Sequence, residues 1–284
     1  MTYWFEQTLN GISYGMLLFL LAAGLSLITG LMGIVNLAQG SYYLFGAYIG
    51  LSVINATQNF VLAIVAGAIA VALLGALMQR FFLHRFYKND LAQVLMTFGF
   101  LFMFQDISLM TWGGNSYLLP PPTFLEQSVR FGGIIYPSYR LFVIVMGLLV
   151  AIGLWWFQDK TKVGAIVRAG VDDEEMLRGL GVNVPVLFTA VFALGAGLAG
   201  ISGVLGGPFA GVAPGMDLQV LLLGFVVLIV GGLGSLRGAF VASLIVGLLD
   251  NFGKALFPDL ALFTIFAPMA IILAIKPSGL FGRP

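Results

Sequence analysis

The side chains that could do chemistry in this chain are polar residues set in or beside long apolar runs. Each costs free energy there unless it faces a cavity, a partner or water. Asn36, Gln39 and Ser41 follow a glycine-interrupted first run. Gln93 and Thr97 come early in the fourth run and Gln105 and Asp106 late in it; Asp217 and Gln219 open the seventh, and Asp250 and Asn251 close the eighth. Amides and hydroxyls at a broken helix bind rather than react, since exposed backbone groups beside them can hold a small zwitterion. Asn36, Gln39, Ser41, Gln93, Thr97, Gln105 and Asp106 are therefore the candidate substrate path. For Asp106, Asp217 and Asp250, capping or hydration at span ends is the plainer reading.

Bond-making chemistry has little to work with. The single histidine, His84, sits beside Arg85 in a basic loop, read as solvated, and no nucleophile has a matched base. Cysteine is absent, which removes disulfides, thiolate catalysis and Cys-type metal sites. A chain that hydrolysed ATP itself would carry the loop Gly-x-x-x-x-Gly-Lys-Ser/Thr, and none is present; the glycine cluster over 231–238 includes Arg237 without that continuation and reads as a tight interhelical turn. The chain is expected to be non-catalytic, to bind no metal or cofactor of its own, and to lack the clustered basic residues that nucleic acid would need.

One stretch, 159–183, breaks the apolar pattern. It holds nine of the chain's thirteen basic and twelve acidic residues, among them Arg168, Asp172, Asp173, Glu174, Glu175 and Arg178. Asp172 is placed to cap a short helix with Glu175 in capping-box spacing, acidic residues fill the first turn, and Gly181 is placed to end it. Met176, Leu177 and Leu180 form an apolar edge, with Arg178 on another side. So short a helix is not stable alone and calls for a groove in another protein. Lying on lipid headgroups is the competing arrangement, opposed by four successive acidic residues beside an anionic leaflet. A membrane protein with such a handle and no energy-converting machinery is expected to be driven by a partner that grips it.

The elements that must position these residues follow from composition. Sixty per cent hydrophobic residues, 9% charged residues and a mean hydropathy of +1.03 stand far from soluble domains, where roughly a quarter of residues are charged. The apolar runs are continuous rather than alternating, so an all-α, polytopic transmembrane helix bundle is expected and a β-barrel is excluded. At about 20 residues per crossing, 284 residues allow eight or nine membrane segments in a single domain over 1–284. The runs fall at about 9–31, 37–54, 60–79, 91–110, 139–157, 184–205, 218–234, 237–250 and 260–275. Those at 37–54 and 237–250 are short enough to be half-helices or re-entrant. The opening residues lack a basic stretch, so no cleavable signal peptide is expected.

Basic residues in short loops are retained on the cytoplasmic side. Arg80, Arg85, Lys88, the basic residues of 159–183, Arg237, Lys276 and Arg283 are assigned to that face, which puts the C-terminus in the cytoplasm. The segment 111–139, with Pro120, Pro121 and Pro122 and only Glu126 and Arg130 charged, is the exterior loop. Small residues at four-residue spacing, Gly195, Ala199 and Gly203 on one face and Ala63, Gly67 and Gly75 on another, let helices approach closely. Gly30 and Gly33, and Gly231 and Gly234, are candidate helix breaks. They end two segments sharing Leu-Ile-x-Gly-x-x-Gly, a possible trace of an internal repeat.

Three patches together resemble the permease subunits of branched-chain amino acid ABC importers, the Liv-type permeases: Gly24 to Gly40, Val163 to Asn183, and Gly231 to Ala239 with the terminal Lys276 to Arg283. The resemblance covers most of the chain. It implies a bacterial-type inner-membrane permease paired with a second permease, two cytoplasmic ATPase subunits that carry ATP and Mg, and a periplasmic or extracellular substrate-binding protein. It also implies that 159–183 is the coupling segment to the ATPases, and that the cargo is a branched-chain or other apolar amino acid, with urea, amides or aromatic acids as relatives served by the same scaffold. Gln39 stands where the family often has histidine, and Gly164-Ala165-Ile166-Val167-Arg168-Ala169 lacks one arginine of the family pattern. An ion-coupled secondary transporter using Asp106, Asp217 or Asp250 is the alternative, and a purely structural subunit a third.

Overall fold

Small residues face inward and large apolar ones outward in the helix α3 (Phe60–Phe81), the reverse of a soluble protein. Ala63, Gly67, Val71 and Gly75 are buried, whereas Val61, Val65, Ile69, Leu73 and Leu77 are exposed. Lipid supplies no hydrophobic drive between helices, so close approach through small residues holds the bundle while the bulky stripe meets hydrocarbon.

The computed structural model describes residues 2–131 and 134–282; Arg283 and the side chains of Asp172 and Glu174 lie outside the described residues. The other elements are α1 (Thr2–Met32), α2 (Gln39–Thr57), α4 (Asp90–Trp112), a hairpin of β1 (Ser128–Phe131) and β2 (Ile134–Pro137), α5 (Ser138–Lys160), α6 (Lys162–Asp172), α7 (Glu174–Gly179), α8 (Val184–Ala210), α9 (Met216–Gly231), α10 (Leu236–Leu256) and α11 (Ala261–Ile275). Side-chain caps fix many starts: Asn59, Asn89, Asn183 and Ser235 each accept from the backbone N–H three residues on, opening α3, α4, α8 and α10.

Each of the nine apolar runs is a helix. Among the described residues seven helices are long and apolar enough to cross a membrane, and α2 and α9 fall outside that set. The run at 237–250 is part of a 21-residue helix, so the second short element is α9, with 16 residues, instead. The segment 111–139 is not loop throughout; it carries the β1–β2 hairpin, in which Val129 pairs with Tyr136.

Two halves, α1–α4 and α8–α11, are related by inversion. At the centre α1 and α8 run antiparallel, so close that a Cβ on Gly24 would lie 2.3 Å from the Gly195 oxygen, and Ser202 Oγ donates to the Leu17 carbonyl at 2.8 Å. Helix α3 lies antiparallel on α8 through Gly75 and Ala196, and α10 lies antiparallel on α1 through Gly247 and Gly15. Helix α2 follows α8 through Gly46 and Gly200, and α9 follows α1 where Gly224 meets Leu21. Exchanging the halves carries each contact onto its counterpart, with directions reversed. The matching breaks are residues 33–38 and 211–215, opened by Gly33 (φ +69°) and Gly211 (φ +74°).

The Leu-Ile-x-Gly-x-x-Gly echo is not that repeat. It ends α1 and α9, which are not counterparts. Gly30 and Gly234 instead pack against each other, a Cβ on Gly30 falling 2.7 Å from the Gly234 Cα. Gly30 and Gly231 are helical close-approach positions, while Gly33 and Gly234 (φ +74°) carry the left-handed backbone that turns the chain.

The charges sort by end. Arg80, Arg85, Lys88, Lys160, Lys162, Arg168, Arg178, Arg237 and Lys276 gather at one end, and Arg130, Arg140 and Lys254 at the hairpin end. The N-terminal half of α1 lies at the hairpin end, where Tyr136 donates to Asn10 Oδ1 at 3.0 Å. The tail over 276–282 lies at the basic end, with Leu280 N donating to the Val230 oxygen at 2.8 Å.

Candidate functional site

The first break gathers four of the seven polar candidates, and the chain itself uses them. Asn36 and Gln39 are fully buried: Asn36 Oδ1 accepts from Ala38 N at 3.1 Å, Asn36 Nδ2 donates to Gln39 Oε1 at 3.3 Å, and Gln39 Nε2 donates to the Gly195 carbonyl at 3.0 Å. Thr97 Oγ1 accepts from Leu37 N at 3.1 Å. Ser41 Oγ donates to Asp217 Oδ2 at 3.3 Å, joining the start of α2 to that of α9. A backbone that leaves the helix inside a bilayer must find partners within the protein, and these side chains supply them. Gln93 Nε2 donates to the Phe86 carbonyl at 3.0 Å in the α3–α4 turn, and Gln105 and Asp106 sit apart on α4, Asp106 exposed. Asp217 and Asp250 are both buried rather than hydrated at span ends.

A cavity of about 780 Å³ opens elsewhere, in the hairpin-end half between α1, α9, α10 and α11, and none of the seven candidates lines it. Its walls include Leu17, Leu18, Leu223, Ile265 and Phe266, and its polar lining includes Arg140, Asp250 and Lys254. Lys254 Nζ lies 2.7 Å from Asp250 Oδ2, one helical turn apart. The Arg140 guanidinium lies 4.4 Å from the Phe209 ring centre and donates to Asn10 Oδ1. Tyr14 stacks on Phe209 with centroids 6.0 Å apart, so aromatic faces back both cations. Burial holds the nearby Tyr136 phenol above its ordinary range, with Arg140 pulling the other way, so it stays a protonated donor. Of this group only Asp250 was singled out from the sequence, as a span-end carboxylate; the i, i+4 spacing of Asp250 and Lys254 was the available signal for more.

At the opposite end the charged segment forms two helices. Thr161 caps α6 by accepting from Gly164 N at 3.0 Å. Asp173, not Asp172, caps α7, accepting from Met176 N at 2.9 Å; Asp172 is the last residue of α6, and Met176 rather than Glu175 stands three residues past the cap. The stop falls at Gly181 (φ +81°): Val182 N donates to the Leu177 oxygen at 3.1 Å and Gly181 N to the Arg178 oxygen at 3.0 Å, the paired bonds of a Schellman turn.

The apolar edge of α7 divides. Leu177 is 3% exposed and packs with Leu27, Leu31, Val167 and Leu187, whereas Met176 at 65% and Leu180 at 74% face away from the bundle. Arg178 lies 5.5 Å from the Tyr87 ring centre, tying α7 to the α3–α4 turn. Asp159 accepts from Arg168 at 3.4 Å and Arg237 at 3.1 Å, tying the end of α5 to α6 and the α9–α10 turn. Such exposed pairs contribute at most ~1 kcal/mol each, so apolar packing is the main anchor. That packing meets α1 at Leu31, two residues before the Gly33 break.

Among the described residues no three His, Asp or Glu side chains come together as a metal site. The fold is that of a polytopic helical membrane protein of transporter type, built from inverted halves with broken helices and an amphipathic segment presented at its basic end. The chain belongs to the family described as branched-chain amino acid transport system, permease component, whose profile matches residues 7–274. It is 26% identical to the high-affinity branched-chain amino acid transport system permease protein BraD of Pseudomonas aeruginosa, covering 99% of this chain and 97% of that one. It is also 26% identical to LivH of Escherichia coli K12, a permease protein of the same kind of system, over 99% and 96% of the two chains. The fructose import permease protein FrcC of Rhizobium meliloti is 27% identical over 81% of this chain and 63% of its own length. In fold, the chain is similar to a chain of PsaBC from Streptococcus pneumoniae in complex with Fab, with a TM-score of 0.51 at 16% identity, covering 94% and 89%.

Proposed function

We propose that this chain is the transmembrane permease subunit of an ATP-driven importer for branched-chain or other apolar amino acids. It lies in a bacterial inner membrane with the basic end and C-terminus in the cytoplasm. A substrate-binding protein delivers cargo at the hairpin end, a second permease completes the pathway, and two ATPase subunits holding ATP and Mg bind at the basic end. This chain contributes no catalytic group. The observation that carries the reading is the build of α6 and α7: one side is packed onto the end of α1 beside the Gly33 break, and the other presents Met176 and Leu180 outward.

A partner that moves α7 pushes on Leu31 through Leu177 and so biases the packing at the break. The segment thus acts as a two-state lever, with Arg168, Asp172, Glu174, Glu175, Met176, Leu177, Arg178, Leu180 and Gly181 as its parts. Met176→Asp and Leu180→Asp are expected to leave membrane abundance intact. They should cut co-purification with the ATPase subunit at least about tenfold, the ~1.4 kcal/mol that one lost apolar anchor accounts for. ATP-dependent leucine uptake should fall with it. Concentrative uptake by the purified chain alone in vesicles under an ion gradient would select a secondary transporter instead.

A further inference from the structure

Neither the family likeness nor the notion of a permease says where in this chain a cargo molecule rests. The polar residues at the first break are consumed by backbone and by one another, so a resting place must be sought among groups with capacity left. From the cavity in the hairpin-end half we infer that it is a transient binding site for a zwitterionic amino acid with an apolar side chain. Asp250 would face the ammonium, Arg140 and Lys254 the carboxylate, and the walls formed by Leu17, Leu18, Ile265 and Phe266 the side chain. This rests on the reading of the chain as an amino acid importer.

Four observations point the same way. The volume of about 780 Å³ lies within the ~300–1,000 Å³ of small-molecule sites, which combine apolar walls with a few placed polar groups. The lining carries both signs of charge, as a zwitterion requires, with Arg140, Lys254 and Asp250 on the one cavity. Capacity remains on each: an ammonium has three donors and Lys254 gives one to Asp250; a carboxylate accepts several bonds. Asp250 is only 5% exposed, so a charge there is held by its partner, and a ligand that inserts its own ammonium keeps the carboxylate compensated while Lys254 turns to the ligand carboxylate. The swap replaces one ion pair by two, which a neutral sugar or a simple carboxylate cannot do.

The test uses cells lacking their own leucine uptake, carrying the complete transporter with its native partner subunits, and radiolabelled L-leucine. Asp250→Asn and Arg140→Gln are expected to raise KM for leucine about tenfold or more, since a charged group that loses its buried partner is left uncompensated. In the wild type, 4-methylpentanoate, which has the same carbon skeleton without the amine, should compete poorly; in Asp250→Asn the preference for leucine over it should shrink. A merely structural Asp250 would not move that ratio. Leu222→Trp, at the exposed side of the lining, should block uptake at normal membrane abundance and keeps the site testable if Asp250→Asn fails to accumulate. Unchanged KM and selectivity in Asp250→Asn and Arg140→Gln, or unchanged uptake in Leu222→Trp, overturns the site while leaving the importer reading standing. A wild-type transporter that takes up no amino acid overturns both.

Discussion

At Gln39 one amide bridges two halves of the protein, accepting from Asn36 and donating to the Gly195 carbonyl, both fully out of solvent. Gln39→Leu nearly keeps the volume and removes the bonds, leaving the buried Asn36 amide without its partner at ~1–3 kcal/mol and the Gly195 carbonyl with only its helical bond. Purified Gln39→Leu is expected to unfold at lower temperature, while the wild-type ranking of competing amino acids in uptake is retained; a changed ranking would return Gln39 to the cargo path. At Gly203 the constraint is steric, for a Cβ there would fall 1.9 Å from the Tyr43 carbonyl oxygen. Backbone cannot give way as a side-chain tip can, so Gly203→Val should cost upwards of ~3 kcal/mol and appear as sharply reduced membrane abundance. The four-residue spacing of Gly195, Ala199 and Gly203 showed this face in the sequence. What Gln39 would bond was not visible there, because its partner is a carbonyl 156 residues away.

Among the elements, α7 makes the clearest case for how far sequence carries. Its existence and its stop at Gly181 could be read from residue types, but the cap moved by one residue, and Leu177, read as part of an edge for another protein, packs into this chain's own core. Four consecutive acidic residues offer more than one N-cap, and the helix α6 decides between them by extending through Asp172. Asp173→Ala is expected to cost α7 about 1 kcal/mol, and so to speed amide exchange there roughly fivefold, while Asp172→Ala leaves it unchanged. The nine apolar runs were legible because continuous hydrophobicity of that length has one solution in hydrocarbon. The second helix break showed as the gap between the runs at 184–205 and 218–234, with Pro214-Gly215 as its turn signal, but its match to residues 33–38 was not legible, because the left-handed backbone at Gly33 and Gly211 and the packing of the halves relate the two. The β1–β2 hairpin was hidden, since two four-residue strands leave too short an alternation to read.

For the molecule as a whole, inversion of the halves gives the two ends nearly the same packing, so the orientation proposed above rests on the distribution of lysine and arginine and not on helix contacts. Nine of the described basic residues lie at one end against three at the other; under the proposed function that asymmetry sets α6 and α7 on the side of the ATPase subunits and the Arg140–Asp250–Lys254 cavity in the half nearer the binding protein. The chain has no cysteine, so single introduced thiols report position without background. Ile135 in the hairpin and Leu180 after α7 are both exposed and lie at opposite ends. A membrane-impermeant maleimide should label Ile135→Cys in intact spheroplasts and Leu180→Cys only after permeabilisation. The reverse pattern would set α7 outside, out of reach of ATP, and the lever would then have nothing to drive it.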